Sequence, residues 1–429
     1  MYSCRSRSKF SLRAVLALTT VLSGALCFAV SAQADDTAPT QTAAASPASW
    51  GNTLKFYGHA EGGVAFNAAS PDNNENFGSL FTDKANQPQL NQLMLTAERP
   101  IDSSSSNFDI GFKLQGLFGT DARYSHSLAE TDHLIHSKYQ FDFNEATVNM
   151  HLPVAFEGGV DLKVGQFPSP MSAETIDATT NSLYSHSYIF NFGVPMKSTG
   201  VLATAHVNST LDIYGGFDTG VNGGITADGD NNKNIKGQFG FGLNNLLGGD
   251  LSLVALSHVG TEDPSNVTPQ GAMRYLNDVT ATYKANDKLT LTTDVNYIEE
   301  DSVGAIGYGV AQYATYALND NVTLVGRAEI WRDNSGVFVA AYPGYFDAAN
   351  AQRGLTNTSY TAPRTTYSEL TLGVNYKPEV PKAVEGLVIR PELRVDHSLN
   401  GTKPFNAGDN NIGTDGTSFT PAVDVVVPF

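Results

Sequence analysis

The stretch Ser418-Phe419-Thr420-Pro421-Ala422-Val423-Asp424-Val425-Val426-Val427-Pro428-Phe429 alternates almost residue by residue. Phe419, Pro421, Val423, Val425, Val427 and Phe429 share one parity; Ser418, Thr420, Ala422 and Asp424 share the other. Successive side chains of a strand point to opposite faces, so the run reads as a strand with one apolar and one polar face. A soluble sandwich can use such a strand. So can a membrane barrel, where the apolar face meets lipid and a terminal aromatic sits at the interface. The rest of the chain chooses between them.

Working outward, the same alternation recurs from Leu54 onward. Leu54, Phe56, Gly58, Ala60 and Gly62 alternate with Lys55, Tyr57, His59 and Glu61. Phe108, Ile110, Phe112 and Leu114 alternate with Asp109, Gly111, Lys113 and Gln115. Candidate strands fall near 53–66, 89–99, 107–119, 143–152, 158–167, 199–207, 210–219, 235–243, 249–259, 273–284, 288–298, 305–318, 321–333, 366–377, 387–397 and 418–429. The register near 305–318 is open. Connections alternate in length. Long ones lie near 67–88, 120–142, 168–198, 220–234, 260–272, 334–365 and 398–417, with 299–304 the short exception. Tight or modest turns lie between them, such as Asn208-Ser209 and Asn319-Asp320. A sandwich has no reason to keep its long loops at one end, whereas an up-and-down barrel in a membrane does. Closure also leaves no unpaired edge in lipid. The expected fold is therefore all-β: a transmembrane antiparallel up-and-down barrel of about 16 strands. No segment after residue 34 approaches the ~20 apolar residues of a spanning helix.

A ring of this size leaves an aqueous channel, where an eight-stranded one is filled by side chains. The polar parity fits water. It offers Glu61, Lys113, Glu145, Asp161, Lys163, Asp212, Asp278, Asp294, Arg327, Glu329, Arg390, Glu392, Arg394 and Asp396. In a dry interior, unpaired charges of this number would be prohibitive.

The N-terminus carries Arg5, Arg7, Lys9 and Arg13, then a short apolar run, then Ala32-Gln33-Ala34. This is the pattern of a cleaved secretory signal over 1–34. Leu26 before Cys27 is wrong for a lipidation site, which wants a small residue there. Cys4 and Cys27 are the only cysteines, so the mature chain has no disulfide framework. Residues 35–52 begin with an Ala/Thr/Pro-rich stretch and read as a flexible periplasmic leader, with 53–429 as the barrel. Four of the 26 basic and none of the 43 acidic residues lie in 1–34, so the remainder carries a formal charge of −21. That argues against nucleic acid as a partner.

Val164-Gly165-Gln166-Phe167-Pro168-Ser169-Pro170-Met171-Ser172-Ala173-Glu174 resembles a GQF-x-x-P-x-x-x-E segment of the OmpL-like β-barrel porin family. Tyr184 to Pro195, Thr199 to Thr204 and the opening Tyr57-Gly58-His59-Ala60-Glu61-Gly62-Gly63 are similar to it as well. The resemblance covers 53–429 and implies an outer-membrane porin passing small hydrophilic solutes or ions. It brings no catalytic motif, no substrate and no cofactor. The end of the chain also resembles the C-terminal signal read by the barrel-assembly machinery, which makes Phe429 the candidate assembly residue. Expected partners are outer-membrane lipid, that machinery and the solutes; a homotrimer is left open.

The third long connection, 168–198, is the candidate constriction. Pro168, Pro170 and Pro195 stiffen it, and Tyr184, Tyr188, Phe190 and Phe192 are placed to anchor it against the wall. If it folds inward, Glu174 and Asp177 face Arg327, Arg390 and Arg394 across a gap and set up a transverse field. The acidic balance then predicts a preference for cations. Other constellations are weaker. His126, Glu130, His133 and His136 lack the spacing of a zinc protease motif. Asp228-Gly229-Asp230-Asn231-Asn232 begins like a calcium loop, but Lys233 stands where a glycine belongs. Neither is taken as a metal site. Two other functions remain open: a surface-binding or adhesive barrel, and an outer-membrane hydrolase, for which no nucleophile elbow is present.

Overall fold

The computed structural model describes residues 53–429 apart from 133–136, 225, 227–228, 264–270, 343, 346, 348–349, 351–361, 382–385 and 409–410. Sixteen strands run through the described residues: β1 (Lys55–Ala65), β2 (Gln89–Arg99), β3 (Asp109–Gly119), β4 (Gln140–Leu152), β5 (Val160–Pro168), β6 (Lys197–His206), β7 (Leu211–Asp218), β8 (Lys236–Leu246), β9 (Leu251–Thr261), β10 (Met273–Lys284), β11 (Leu289–Glu300), β12 (Ala305–Asn319), β13 (Val322–Asp333), β14 (Thr365–Tyr376), β15 (Val388–Ser398) and β16 (Thr417–Pro428). Each pairs antiparallel with its chain neighbours, and β1 pairs with β16, closing the ring.

Alternation explains why the ring forms. Leu95, Leu372 and Leu393 point outward and stay more than half exposed, while Glu61, Asp294, Arg327 and Asp424 point inward and are buried. That inverts a soluble protein and matches a wall between lipid and a polar lumen. The seam runs from Ala65 opposite Ala422 to His59 opposite Pro428. It is extended by the Phe429 amide donating to the Gly58 carbonyl at 2.9 Å and the Gly58 amide donating back at 2.7 Å. A Cβ on Gly58 would lie 2.8 Å from the Phe429 ring, so glycine there lets the terminal aromatic lie flat on the outer face.

Strand positions follow the alternation, with local differences. β4 begins at Gln140, three residues before the expected start, because the strand continues beside Gly116 to Gly119 after a bulge. β8 runs on to Leu246 through a register shift after Leu243, where a turn was expected from Asn244. The open register of β12 is regular from Ala305 to Ala317 and slips only before Asn319. Long connections gather at one end and short ones at the other, with 301–304 between β11 and β12 the short exception at the long end.

Candidate functional site

The connection after β5 does not stay at the rim. Residues 169–196 pass into the ring and bond to inward side chains on both sides of it. The reason is an accounting one. A segment leaving the wall loses its ladder partners, and each buried N–H or C=O must find another. Here wall side chains replace the ladder. Asp294 of β11 accepts the Ala173 amide at 2.8 Å. Glu392 of β15 accepts the amides of Tyr184 and Ser185 at 2.9 and 3.1 Å. Glu329 of β13 accepts those of Tyr188 and Ile189 at 2.7 and 2.9 Å.

Arginines do the converse for carbonyls. Arg327 of β13 donates to the Ser185 carbonyl at 2.7 Å, and Arg394 of β15 to the His186 carbonyl at 2.6 Å. Arg390 of β15 donates to the Ala178 and Asn181 carbonyls at 2.9 and 2.7 Å. A planar guanidinium can serve a carbonyl and a carboxylate at once. Arg327 pairs with Glu174 at 2.7 Å and with Glu369 at 2.9 Å. Arg390 pairs with Glu61 at 2.9 Å and with Asp424. Arg394 pairs with Asp396 at 2.8 Å.

Aromatic contacts complete the grip. Tyr188 stacks on Tyr367 of β14 with centroids 4.8 Å apart, and its hydroxyl donates to Asp396 at 2.8 Å. The Tyr184 hydroxyl donates to Asn91 at 2.9 Å, and a Cβ on Gly63 of β1 would lie 2.7 Å from the Tyr184 ring. Phe190 stacks on His186, whose ring also meets Phe81 of the first long connection at 4.8 Å. Burial pushes the His186 imidazole down to about 4 against the pull of Glu174. Burial pushes the Glu174 carboxyl up, but Arg327, His186 and the Ser187 amide together outweigh it and hold the group below its ordinary range. Above this layer, Arg123 forks onto Asp83 at 2.8 and 2.7 Å and ties the first two long connections together.

The expected opposition of charges is corrected by this geometry. Glu174 and Arg327 do not face each other across a gap, because the loop carries Glu174 into direct contact with the wall. Asp177 lies apart from the arginines, 3.8 Å from His59 and 3.2 Å from Gln115. It caps a short turn by accepting the Thr179 amide at 3.0 Å. The arginines face carboxylates of their own wall because buried guanidinium groups need close partners. Glu329 and Glu392 act as loop anchors whose only signal in the sequence was inward parity; Asn91 and Gln92, adjacent and both buried where the ladder between β1 and β2 slips, gave no such signal. Of the metal candidates, His126 bonds Thr131 at 3.0 Å and Gln140, and Glu130 accepts from Gln166 at 2.9 Å. His133 and His136 lie outside the described residues, as does Asp228. Asp230 accepts backbone amides of Asn232 and Lys233.

A closed sixteen-stranded ring with a polar lumen and an inward loop is the architecture of an outer-membrane porin. Residues 53–429 match the family described as beta-barrel porin-2, OmpL-like, and the chain belongs to that family. Among solved structures it is similar to OprB of Pseudomonas putida, at 13% identity and a TM-score of 0.53, covering 88% of this chain and 94% of that one. It is similar to an anion-selective porin from Comamonas acidovorans, at 11% identity and a TM-score of 0.53, covering 88% and 99%. OmpF of Salmonella typhi, in complex with daunomycin, follows at 10% identity and a TM-score of 0.50, covering 88% and 97%. At these identities the likeness is one of fold. No curated protein sequence matches the chain.

Proposed function

We propose that this porin is a passive, non-enzymatic channel for small hydrophilic solutes, narrowed by residues 169–196. The observation that carries the reading is the loop itself: its backbone is bonded to β11, β13 and β15 by side chains buried inside the ring. A segment fixed in this way reduces the open cross-section and brings Glu174 and Asp177 toward the permeation path. Export by a cleaved 1–34 signal, a periplasmic leader over 35–52, delivery by the barrel-assembly machinery through Phe429, and assembly as a homotrimer belong to the same reading. A cation preference follows from the charge of −21 beyond residue 34. The test is planar-bilayer conductance of the purified protein in a salt gradient, with swelling of proteoliposomes in neutral solutes. Steady conductance and swelling are expected. A folded barrel that gives neither defeats the channel, and lipid hydrolysis by it would favour an enzyme instead.

A further inference from the structure

The inner wall of β10–β12 differs from the rest of the lumen. Thr280 and Thr282 of β10, Thr290 and Thr292 of β11, and Thr315 of β12 share the inward parity and keep partial exposure. Thr282 stands opposite Thr292 with their hydroxyls 3.3 Å apart, and Thr290 stands opposite Thr315. The loop approaches this wall with Thr180, Asn181 and Ser182. A cavity of about 70 Å³ lies between these loop residues and Thr292, Tyr313 and Thr315, lined also by Ala173, Glu174 and Leu183.

Three features of this cavity point to one ligand chemistry. The first is charge. Glu174 is its one ionisable carboxylate, and Arg327 already neutralises it at 2.7 Å. An anion finds no cation in the lining, and a cation finds no free carboxylate. The second is donor and acceptor balance. Serine and threonine hydroxyls each donate and accept, as alcohol groups of a solute do. Ser182, Thr292 and Thr315 keep partial exposure at the cavity, so their hydroxyls can meet those of a solute. The third is size. One water needs roughly 10–15 Å³ of such space, so the cavity holds about five. That is most of a small polyol or one edge of a sugar ring, and Leu183 and the Tyr313 ring offer apolar surface to its C–H face.

We propose that the cavity between the inward loop and β11–β12 is a subsite for neutral polyhydroxylated solutes, held by the hydroxyls of Thr292, Thr315 and Ser182 over the Tyr313 ring. The proposal rests on the channel reading and names the class of solute its path favours.

The test is interruption of single-channel current by glucose, glucuronate and glucosamine, which share size and differ in charge. Glucose is expected to block at the lowest concentration. The Thr292→Val, Thr315→Val double variant should raise its half-blocking concentration about tenfold, the loss of one or two hydrogen bonds. Thr204→Val on β6, away from the cavity, should leave the block as it is. Thr315→Val alone serves if the double variant lacks the heat-modifiable gel shift of a folded barrel, with a smaller rise expected. Equal block in wild type and variant, stronger block by either charged sugar, or no block by glucose in a conducting channel overturns the subsite and leaves the porin standing. A wild type that never conducts removes the porin reading itself.

Discussion

Two walls of the same lumen use polar residues in opposite ways. The wall of β13–β16 carries Arg327, Arg390 and Arg394, each buried against carboxylates and against carbonyls of the inward loop. The wall of β10–β12 below the loop carries threonines that keep partial exposure. Burying charge is favourable only when every partner is in place, and breaking one such pair leaves another charge stranded. The arginine wall is thus a fixing surface, whose charge is consumed in holding the loop. The threonines carry no charge and keep partial exposure, while Asp294 of the same wall is taken up by the loop. Inward polarity alone does not mark a permeation path; what matters is whether the group is already satisfied.

The largest way to break the comparison is to remove the ring on which both walls depend. Deleting Phe429 takes away the last pair of seam hydrogen bonds and the ring over Gly58. We expect unfolded periplasmic protein, read as loss of the heat-modifiable gel shift; normal outer-membrane levels would refute the assignment. Deleting 174–190 should instead keep the ring and raise conductance several-fold, since the loop is not part of the seam.

Arg327→Met attacks the fixing surface alone. It strands Glu174 and Glu369, which costs about 3–5 kcal/mol for a buried pair. The loop should leave the wall, with conductance rising and the loop becoming open to protease in intact vesicles. Unchanged conductance would mean that the arginines do not hold it.

Acid should loosen the same surface more gently. Docked His186 takes its proton at about 4 against an ordinary value of 6.5, so a released loop is protonated first. Its contribution to docking is whole above pH 6.5 and is lost as pH falls to 4, by up to about 3 kcal/mol. Conductance should rise over that window, and His186→Gln should flatten this part of the profile. Glu174, Arg327 and Arg394 surround the ring and keep their charges there, so the variant isolates the imidazole.

The smallest effect should come from Asp177→Asn; Glu174→Gln belongs with Arg327→Met, since it breaks the same buried pair. Asp177 is partly exposed, and screening limits such a charge to roughly 0.5 kcal/mol. A fall of about twofold in the cation-to-anion permeability ratio is expected from reversal potentials. An unchanged ratio would place Asp177 outside the conducting path.

Much of the ring was legible because alternation is a local property. Phe419 to Phe429 shows its two faces without knowledge of any other strand, and the inward side of Arg327 or Glu392 follows from its neighbours at i±2. The bulge that extends β4 upstream to Gln140 was not legible, because bulges depend on the partner strand. Nor were the loop contacts. Glu392 meets Tyr184 across 208 residues of chain, and no period reports which inward group stands opposite which. Asp177 was misplaced for the same reason: a carboxylate between isoleucine and alanine gives no sign that it will lie near His59, even though it caps its own turn.

The alternation has a consequence for transit. A protein bound for an outer bilayer must first thread through an inner one without being retained there. Retention needs a long unbroken apolar run of about 20 residues. By spending every second position on the lumen, these strands of 8 to 15 residues make a lipid-facing surface while the mean hydropathy of the chain stays at −0.19. The greasy surface exists only once the ring has closed, so the extended chain travels as a polar polymer and acquires its affinity for lipid on arrival.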